Sequence, residues 1–426
     1  DLHSFPTRRS SDLLEKLTLT GAAAINGTGN ALANSLTGNS ANNTLDGGVG
    51  ADLLQGGVGN DAYLVDDIGD RVVENVGQGT DWVFSAVTCT LAAEVENLTL
   101  TGILAIDGTG NELGNILTGN SAANILRGAA GDDTYVMDNV VDEVIEGIGG
   151  GTDTVLSSVT YLLPDNVENL TLTGSEPIDA IGNSLANLLT GNVAANVLTG
   201  GVGDDRYGVD NVGDQVVEDH GGGRDTVMSL ISYQLAPNTE DLILTGTAAI
   251  NGRGNLLDNS LTGNVAANVL DGGVGADLLR GGEGADIFVI GTIDGGVDGV
   301  LDFESGIDKL FVKSGVGGFN IGNGDETIDG ATLKTVPGSF LIGAEELVIF
   351  SYDIVGQITA AKAAAQVADV WYSSYGDQLF VFDNGVDSAV FKYDSLGIGG
   401  VHPSELTLIT MLQGTAQTVL SDYLFG

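Results

Sequence analysis

The chain has 426 residues, of which 58 are acidic and 14 are lysine or arginine, so its formal net charge is −44. This charge repels nucleic acid and anionic membrane surfaces, so we expect neither as a partner. No apolar run approaches the roughly 18 residues of a membrane-spanning helix, and the single cysteine, Cys89, excludes an internal disulfide.

Composition still predicts a folded protein. The 66 glycines and the acidity are typical of disorder, but 42% of the residues are hydrophobic and recur at regular intervals. We therefore expect a core that forms once the charge is neutralised, and bound metal ions are the obvious means of neutralising it.

The first residues, DLHSFPTRRSSDL, do not join the pattern that begins at Leu14. We interpret residues 1–13 as a non-native segment translated from a sequencing-library adapter, and they contain no apolar run of signal-peptide length. We therefore expect the natural protein to be longer than this chain.

Residues 47–64, GGVGADLLQGGVGNDAYL, are two nine-residue units laid end to end. In each unit the glycines allow tight loops whose carbonyl groups can turn toward a common point. Asp52 and Asp61 add hard anionic oxygens, which suit Ca²⁺ with its about six to eight oxygen ligands. Leu54 and Tyr63 fall on short extended stretches and point the other way, into a core.

A longer repeat contains these units. It is marked by a module octapeptide, which occurs as LEKLTLTG, VENLTLTG, VENLTLTG and TEDLILTG. The four copies end at Gly21, Gly102, Gly174 and Gly246, at intervals of 81, 72 and 72 residues. These intervals are multiples of nine, so a nine-residue period runs inside modules that we place at residues 14–94, 95–166, 167–238 and 239–290.

Each module keeps one apolar and one polar position on this period. The apolar set is Leu36, Leu45, Leu54, Tyr63, Val72, Leu117, Leu126, Tyr135, Val144, Leu189, Leu198, Tyr207, Val216, Leu261, Leu270, Leu279 and Phe288. The polar set is Asn34, Asn43, Asp52, Asp61, Asp70, Asn115, Asn124, Asp133, Asp142, Asn187, Asn196, Asp205, Asp214, Asn259, Asn268, Asp277 and Asp286.

The pattern resembles the RTX (repeats-in-toxin, hemolysin-type) calcium-binding family, whose nonapeptide has this form. The resemblance implies an all-β fold, a right-handed parallel β-roll or β-solenoid in which two nonapeptides make one coil. It also implies that several Ca²⁺ ions are held between loops on each edge. The candidate ligands are Gly47, Gly48, Gly50, Asp52, Gly56, Gly57, Gly59, Asp61, Asp70, Gly128, Gly131, Asp133, Asp142, Gly200, Gly201, Gly203, Asp205, Asp214, Gly272, Gly273, Gly275, Asp277, Gly281, Gly282, Gly284 and Asp286.

Winding two nonapeptides per coil determines which residues share a sheet and an edge. A 72-residue module makes four coils, so the octapeptides that end at Gly102, Gly174 and Gly246 share one edge, and the copy at Gly21 lies on the opposite one. Tyr63, Tyr135 and Tyr207 then share a sheet, and Phe288 lies on the other. Loops 18 residues apart become neighbours, which makes Asp52 with Asp70 the single pair with aspartate on both sides. The alternation from Val155 to Leu163 predicts one strand.

The acidic positions allow two interpretations. Aspartates in such loops can simply form turns, but the glycine framework offers carbonyl ligands that a turn does not require, so we expect calcium ligands. For Asn43, Asn124, Asn196 and Asn268 we favour hydrogen-bonded ladders without metal.

After Phe288 the period ends. We expect a small mixed, β-rich C-terminal cap domain, with a post-repeat cap at residues 291–340 and a secretion-associated region at residues 341–426. Ile358 to Val370 is predicted to be helical, and QLFVFDNGVDSAVFKY is predicted to be a hairpin. The terminal VLSDYLFG resembles the uncleaved export signal of type I secreted proteins.

Two function classes remain. One is a non-catalytic calcium-binding region with a C-terminal secretion signal, part of a bacterial type I secreted or surface protein that folds on Ca²⁺ outside the cell. Its expected partners are calcium, the type I export apparatus and cell-surface or matrix components. The alternative is the tail of a secreted protease, lipase or polysaccharide-modifying enzyme whose catalytic domain lies upstream. The sequence has no HExxH and no GxSxG, so we expect no enzymatic activity from this chain itself.

Overall fold

The chain is wound as a parallel β-solenoid, and its computed structural model is nearly all β, as the sequence predicts. The structure describes residues 7–9, 15–290, 296–312, 331–334, 341–342, 347–353, 357–366, 371–372, 378–384, 386–393, 406–415, 417–419 and 422–425. The chain divides into two compact units, residues 1–207 with 213–217 and residues 208–212 with 218–426.

The elements are short, mostly two to four residues in the repeats. The first half holds β1 Thr7–Arg9, β2 Lys16–Thr18, β3 Asn26–Thr28, β4 Ser35–Thr37, β5 Thr44–Asp46, β6 Leu53–Gln55, β7 Ala62–Val65, β8 Arg71–Val72, β9 Trp82–Ser85, β10 Cys89–Thr90, β11 Asn97–Leu100, β12 Gly108–Thr109, β13 Ile116–Thr118, β14 Ile125–Arg127, β15 Thr134–Met137, β16 Glu143–Ile145, β17 Thr154–Ser157, β18 Tyr161–Leu162, β19 Asn169–Leu172, β20 Ala180–Ile181, β21 Leu188–Thr190, β22 Val197–Thr199 and β23 Arg206–Val209. The second half holds β24 Gln215–Val217, β25 Thr226–Ser229, β26 Tyr233–Gln234, β27 Asp241–Leu244, β28 Gly252–Arg253, β29 Ser260–Thr262, β30 Val269–Asp271, β31 Leu278–Arg280, β32 Ile287–Ile290, β33 Asp298–Val300, β34 Lys309–Val312, β35 Ala331–Lys334, β36 Leu341–Ile342, β37 Leu347–Asp353, α1 Ala360–Gln366, β38 Trp371–Tyr372, β39 Gln378–Asp383, β40 Ser388–Tyr393, β41 Leu406–Leu412 and β42 Tyr423–Phe425. Among the described residues, no helix is long and apolar enough to cross a membrane.

Nonapeptides 18 residues apart stack on each other. Leu36 pairs with Leu54 and Leu45 with Tyr63 in parallel register. These four side chains are at most 1% exposed, so each coil adds a layer to one internal core. Burial of such side chains contributes about 1.5–3 kcal/mol each, and a single nine-residue unit cannot obtain it alone. The predicted apolar positions are buried throughout, except that Val72 is half-buried.

The coils of a 72-residue module differ in length. In the sheet that holds Tyr63, successive partners are Val83, Leu98, Leu117 and Tyr135, at spacings of 20, 15, 19 and 18 residues. The module therefore makes four coils, as predicted, but unequal ones. The opposing face is divided into four-stranded sheets, β2-β4-β6-β8, β10-β12-β14-β16 and β18-β20-β22-β24.

The module octapeptides lie on the faces that a coil of two nonapeptides predicts. In the first unit, the copies that end at Gly102 and Gly174 lie on β11 and β19 of one sheet, and the copy that ends at Gly21 lies on β2 of the opposing face. Tyr63 and Tyr135 share the sheet of β11 and β19, as does Tyr207 on β23.

The second unit obeys the same rule. Its octapeptide ends at Gly246, after β27, whereas Phe288 lies on β32, which belongs to the opposing sheet β26-β28-β30-β32-β34-β42. Both geometric predictions are confirmed within their units.

The prediction of one strand from Val155 to Leu163 is wrong. The segment forms β17 and β18, which belong to different sheets and are separated by a bend. At the bend the Ser157 hydroxyl donates to the Val159 carbonyl at 2.7 Å. The alternation persists because both short strands point their apolar side chains into the core.

The segment that follows the repeats continues the winding. β33 pairs in parallel with β31, and β34 pairs with β32. Two strands from the end of the chain then lie on this coil, since β41 pairs with β33 and β42 pairs with β34. The Asp422 carboxylate is fully buried and accepts hydrogen bonds from the Ser305 hydroxyl and the Gly306 and Val419 amides. The C-terminal segment thus covers the end strands of the solenoid.

The predicted hairpin is confirmed, with β39 antiparallel to β40. The predicted helix is present as α1, and its last expected residues, 367–370, lie outside the described part of the chain. Ala363 and Ala364 of this helix pack in a buried cluster with Phe380, Phe382 and Phe391. The domain boundaries at residues 291–340 and 341–426 stay predictions.

One loop carries a residue in an unfavourable backbone conformation. Ala129 has a φ of 88° at a position where Gly57 and Gly201 have φ values of 95° and 98°. Left-handed backbone costs about 1–2 kcal/mol for a residue with a Cβ. We therefore predict that Ala129→Gly raises the free energy of unfolding by about 1 kcal/mol, after the entropy cost of glycine.

Urea unfolding in saturating calcium measures this effect. The matched control is Gly57→Ala, which places the same strain in an equivalent loop and should lower the free energy of unfolding. A lower stability of Ala129→Gly would contradict the strain argument.

Candidate metal centres

The glycine loops connect the two faces of the solenoid. In the first unit, loop 47–52 runs from β5 to β6, while loops 56–61, 128–133 and 200–205 return to the other sheet. In the second unit, loops 272–277 and 281–286 flank β31. In the loops that begin at Gly47, Gly56, Gly128, Gly272 and Gly281, the aspartate at the end folds back over the first glycine. The Asp52 carboxylate, for example, occupies the space where a side chain on Gly47 would begin. The first glycine is required for this closure.

Successive loops on an edge are joined through their acidic side chains. The Asn43 amide donates to Oδ1 of Asp61 at 2.6 Å, and the Asn34 amide donates to Oδ1 of Asp52 at 2.6 Å. The predicted facing of loops 18 residues apart is therefore confirmed. The further pairs with this geometry are Asp52–Asp70, Asn115–Asp133, Asn124–Asp142, Asn187–Asp205, Asn196–Asp214, Asn259–Asp277 and Asn268–Asp286.

The aspartate loops differ from the asparagine loops in the second oxygen of the aspartate carboxylate. In Asp52, Asp61, Asp133, Asp277 and Asp286 this oxygen, Oδ2, is buried and accepts no hydrogen bond. A buried ionised oxygen without a partner is costly. These five carboxylates therefore fit a bound cation directly above the loop.

In the asparagine loops, both ends of the side-chain amide form hydrogen bonds within the protein. Asn43 accepts a hydrogen bond from the Asn39 amide at 2.8 Å, and its own Nδ2 donates to the Ile25 carbonyl at 2.7 Å. Asn124, Asn196 and Asn268 repeat both contacts. Both ends of each amide are thus hydrogen-bonded to the backbone, and the Nδ2 contact reaches the preceding coil. The absence of metal at these asparagines stays a prediction.

Two predicted ligands use both of their oxygens within the protein. Asp70 accepts from the Asp52 amide through Oδ1 and from the Asp66 and Asp67 amides through Oδ2. Asp142 accepts from the Asn124 and Asn139 amides in the same way. These contacts are those of a turn-forming aspartate, so the two side chains have less capacity left for an ion.

Asp52 and Asp70 are the single pair with aspartate on both sides among nonapeptide loops 18 residues apart, but loops outside that array add further pairs. The Asp61 amide donates to Asp81 at 2.7 Å, and the Asp133 amide donates to Asp153 at 2.8 Å. Both spacings are 20 residues, because the coil at this point is longer than two nonapeptides. A search at a fixed spacing of 18 could not find them.

The longer coils bring together acidic residues that the sequence analysis missed. Single carboxylate oxygens of Asp61, Glu74 and Asp81 lie within 4.8 Å of one another, and the three residues are buried. The same holds for Asp133, Glu146 and Asp153. Each residue of the second set follows its counterpart by 72 residues. Tracking acids at the module period, rather than at nine residues, would have revealed them.

Burial makes these groups weak acids in the ion-free fold. It raises the pKa of Asp61 to about 6 and the pKa of Glu74 to about 7, and nearby carboxylates add to both shifts. It likewise raises the pKa of Asp133 and Glu146 to about 7. A carboxyl group whose pKa rises on folding destabilises the fold as the pH increases through that pKa. At neutral pH a bound cation removes this penalty.

The donor set decides which cation fits. The loops offer carboxylate and carbonyl oxygens, which hard cations such as Ca²⁺ prefer, and the described ligand positions contain no cysteine or histidine. Ca²⁺ also accepts about six to eight oxygens in flexible geometry, which suits loops that differ in sequence.

Comparison with known proteins agrees with this chemistry. Residues 28–63, 109–137, 181–214 and 253–288 match the family profile of the RTX calcium-binding nonapeptide repeat. The chain thus contains four RTX calcium-binding segments, and repeats of this kind bind calcium. The first two segments end before Glu74 and Glu146.

Two proteins of Rhizobium meliloti (strain 1021) are similar over short segments. Endo-1,3-1,4-beta-glycanase ExsH is 39% identical over 74 residues, which are 17% of this chain and 16% of that protein. Endo-1,3-1,4-beta-glycanase EglC is 41% identical over 64 residues, which are 15% of this chain and 14% of that protein. The matches span less than a fifth of either relative.

The contrast between Asp52 and Asp142 gives a matched test of the loop sites. Asp52 has a buried oxygen without a hydrogen-bond partner, whereas both oxygens of Asp142 accept backbone hydrogen bonds. We predict that Asp52→Ala lowers calcium affinity more than Asp142→Ala does. Titration calorimetry of the full chain measures both, and equal losses would count against the assignment.

Proposed function

Taking the four calcium-binding segments as the premise, we propose that this chain is the RTX repeat and export region of a bacterial type I secreted or surface protein. It folds when it binds calcium outside the cell. The observation that carries the proposal is the set of buried, unpartnered Oδ2 atoms above the glycine loops. The glycine and aspartate residues of loops 47–52, 56–61, 128–133, 200–205, 272–277 and 281–286 would hold the ions, through carboxylate and backbone oxygens.

Calcium supplies the charge that this fold lacks. The net charge is −44, and buried carboxylates from successive coils lie against one another, so the ion-free solenoid repels itself. Extracellular calcium modules have a Kd of about 10⁻⁴ to 10⁻³ M. At about a hundredfold excess over Kd, each site stabilises the fold by about 2.7 kcal/mol, and at submicromolar calcium it adds almost nothing. Folding is therefore coupled to the calcium level of the compartment.

The C-terminal segment is part of the same proposal. Its strand β42 pairs with β34, and Tyr423 is 6% exposed. In the folded chain, Asp422 and Tyr423 of this segment are buried and would be hidden from an export apparatus. The segment is accessible before folding, inside a cell with low calcium, so export precedes folding.

The similarity to two glycanases favours a second candidate. In it, the same calcium-binding region is the tail of a secreted polysaccharide-modifying enzyme, and the catalytic domain stands elsewhere in a longer protein. The present chain would then have no activity on a 1,3-1,4-β-glycan, and the sequence of the intact gene would contain a hydrolase domain. Further repeats in place of that domain would favour the non-catalytic surface or matrix role.

Calcium-coupled folding is tested by circular dichroism of the full chain in EDTA and then in millimolar calcium. We expect a mostly disordered spectrum in EDTA and a β-sheet spectrum after calcium addition, with magnesium at the same concentration as the control. A complete β-sheet spectrum in EDTA would end the proposal.

Export is tested in cells that carry a type I secretion system. Deleting residues 417–426 should abolish appearance of the chain in the medium. The control, Ser305→Ala, removes one hydrogen bond to Asp422 without changing the segment, and it should be exported normally. Secretion of the truncated chain at the level of the full chain would contradict a C-terminal signal.

A further inference from the structure

The three-carboxylate clusters differ from the glycine loops in how they are built. Asp61 ends a glycine loop, but Glu74 and Asp81 begin and end the next loop of the same edge, which has no GGxGxD sequence. All three residues are at most 8% exposed. Asp61 Oδ2, Glu74 Oε2 and Asp81 Oδ2 accept no hydrogen bond. Three buried carboxylates therefore present unpartnered oxygens within one small volume.

The surrounding hydrogen bonds hold these carboxylates in place. The Asp61 amide donates to Asp81 Oδ1 at 2.7 Å, and the Asp81 amide donates to Glu96 at 2.7 Å. The Gly56 amide donates to Glu74 Oε1 at 3.3 Å. Asp81 and Glu74 thus each use one oxygen to fix their position and direct the other into the cluster.

A tyrosine positions the glutamate. The Tyr63 hydroxyl donates to Glu74 Oε1 and accepts from the Gly56 amide at 2.9 Å. Tyr135 makes the same contact with Glu146. Along the sequence, Tyr63, Tyr135 and Tyr207 are each followed by glutamate 11 residues later, namely Glu74, Glu146 and Glu218. Leu54, Leu279 and Phe288 stand at the same loop position, lack the hydroxyl, and are not followed by glutamate there. The tyrosine and the glutamate therefore occur as a pair.

We propose that the clusters Asp61–Glu74–Asp81 and Asp133–Glu146–Asp153 turn the sites of loops 56–61 and 128–133 into a second class of hard-cation site, which binds calcium more tightly than the other glycine loops do and fills first. When fully ionised, the three carboxylates give each cluster a charge of −3, whereas a glycine loop with a single aspartate contributes −1. Calcium affinity rises with the charge and rigidity of the ligands. The inference rests on the proposed calcium-binding function and adds an order of filling to it.

The order in which the sites fill affects folding, because each cluster lies on the longest coil of its module. Residues 75–80 are mostly exposed, and this loop belongs to the 20-residue coil. An ion held by Glu74 and Asp81 at its two ends, and by Asp61 of the preceding coil, fixes the longest coil of the module. The cluster would thus set the irregular coil first, and the regular nonapeptides would stack against it.

The test is calcium titration of the full chain after chelator treatment. The wild type should show a tight class and a weaker class of sites. The double variant Glu74→Gln, Glu146→Gln keeps the size of both side chains and should lose two ions from the tight class, with affinity lowered about tenfold or more. Glu143→Gln, an exposed glutamate, is the control of the same substitution type and should behave as wild type.

Terbium, a hard trivalent cation, reports the same sites if the double variant fails to fold. Tyr63 and Tyr135 lie against the clusters, so tyrosine excitation should sensitise terbium emission at low occupancy. Tyr63→Phe, Tyr135→Phe keeps the carboxylates and should lose the part of this emission that Tyr63 and Tyr135 sensitise.

The outcomes are distinct. An unchanged tight class in the folded glutamate variant, or unchanged terbium emission in the tyrosine variant, would overturn the inference while leaving calcium binding by the glycine loops intact. Failure of the wild type to bind calcium at all would overturn the proposed function together with it.

Discussion

The rest of this structure depends on one constraint. The loop carboxylates are buried, but only one of their two oxygens accepts a hydrogen bond. Stacked nonapeptides need a short, tightly closed loop, and the aspartate closes it by folding over the first glycine. One oxygen then accepts the amide of the preceding coil, as in Asp61 with Asn43. The other oxygen is buried in a position that suits a cation, since no donor in the described part of the chain reaches it. The loop closure that allows the coils to stack therefore also creates the need for a cation.

Asparagine relieves the same constraint without metal. Asn43 occupies the loop position of Asp61 in the preceding coil on that edge, but its amide nitrogen donates to the Ile25 carbonyl. Where an asparagine loop precedes an aspartate loop on an edge, as Asn43 precedes Asp61, only the aspartate has an oxygen that calls for an ion. A column of aspartates alone would place unpartnered charges in every coil. The arrangement limits the repulsion between buried carboxylates.

Much of the fold could be predicted from the sequence because a strict period determines which residues stack. Counting nonapeptides predicts that Leu45 stacks on Tyr63 and that Gly21 and Gly102 lie on opposite faces. The coil lengths could not be predicted, since β9 to β11 span 15 residues and β7 to β9 span 20 without a nine-residue motif. Glu74 and Asp81 were missed for that reason. The same unequal winding divided the alternating segment after Val155 into two strands.

The central claim is that aspartate loops bind calcium and asparagine loops do not. A crystal structure of the calcium-loaded chain, with anomalous difference density used to locate calcium, tests it most directly. The account predicts peaks above loops 47–52 and 56–61, where Asp52 and Asp61 have unpartnered oxygens. It predicts no peak that contacts only the asparagine loops ending at Asn34 and Asn43. Equal calcium density at both kinds of loop, or none above the aspartates, would contradict it.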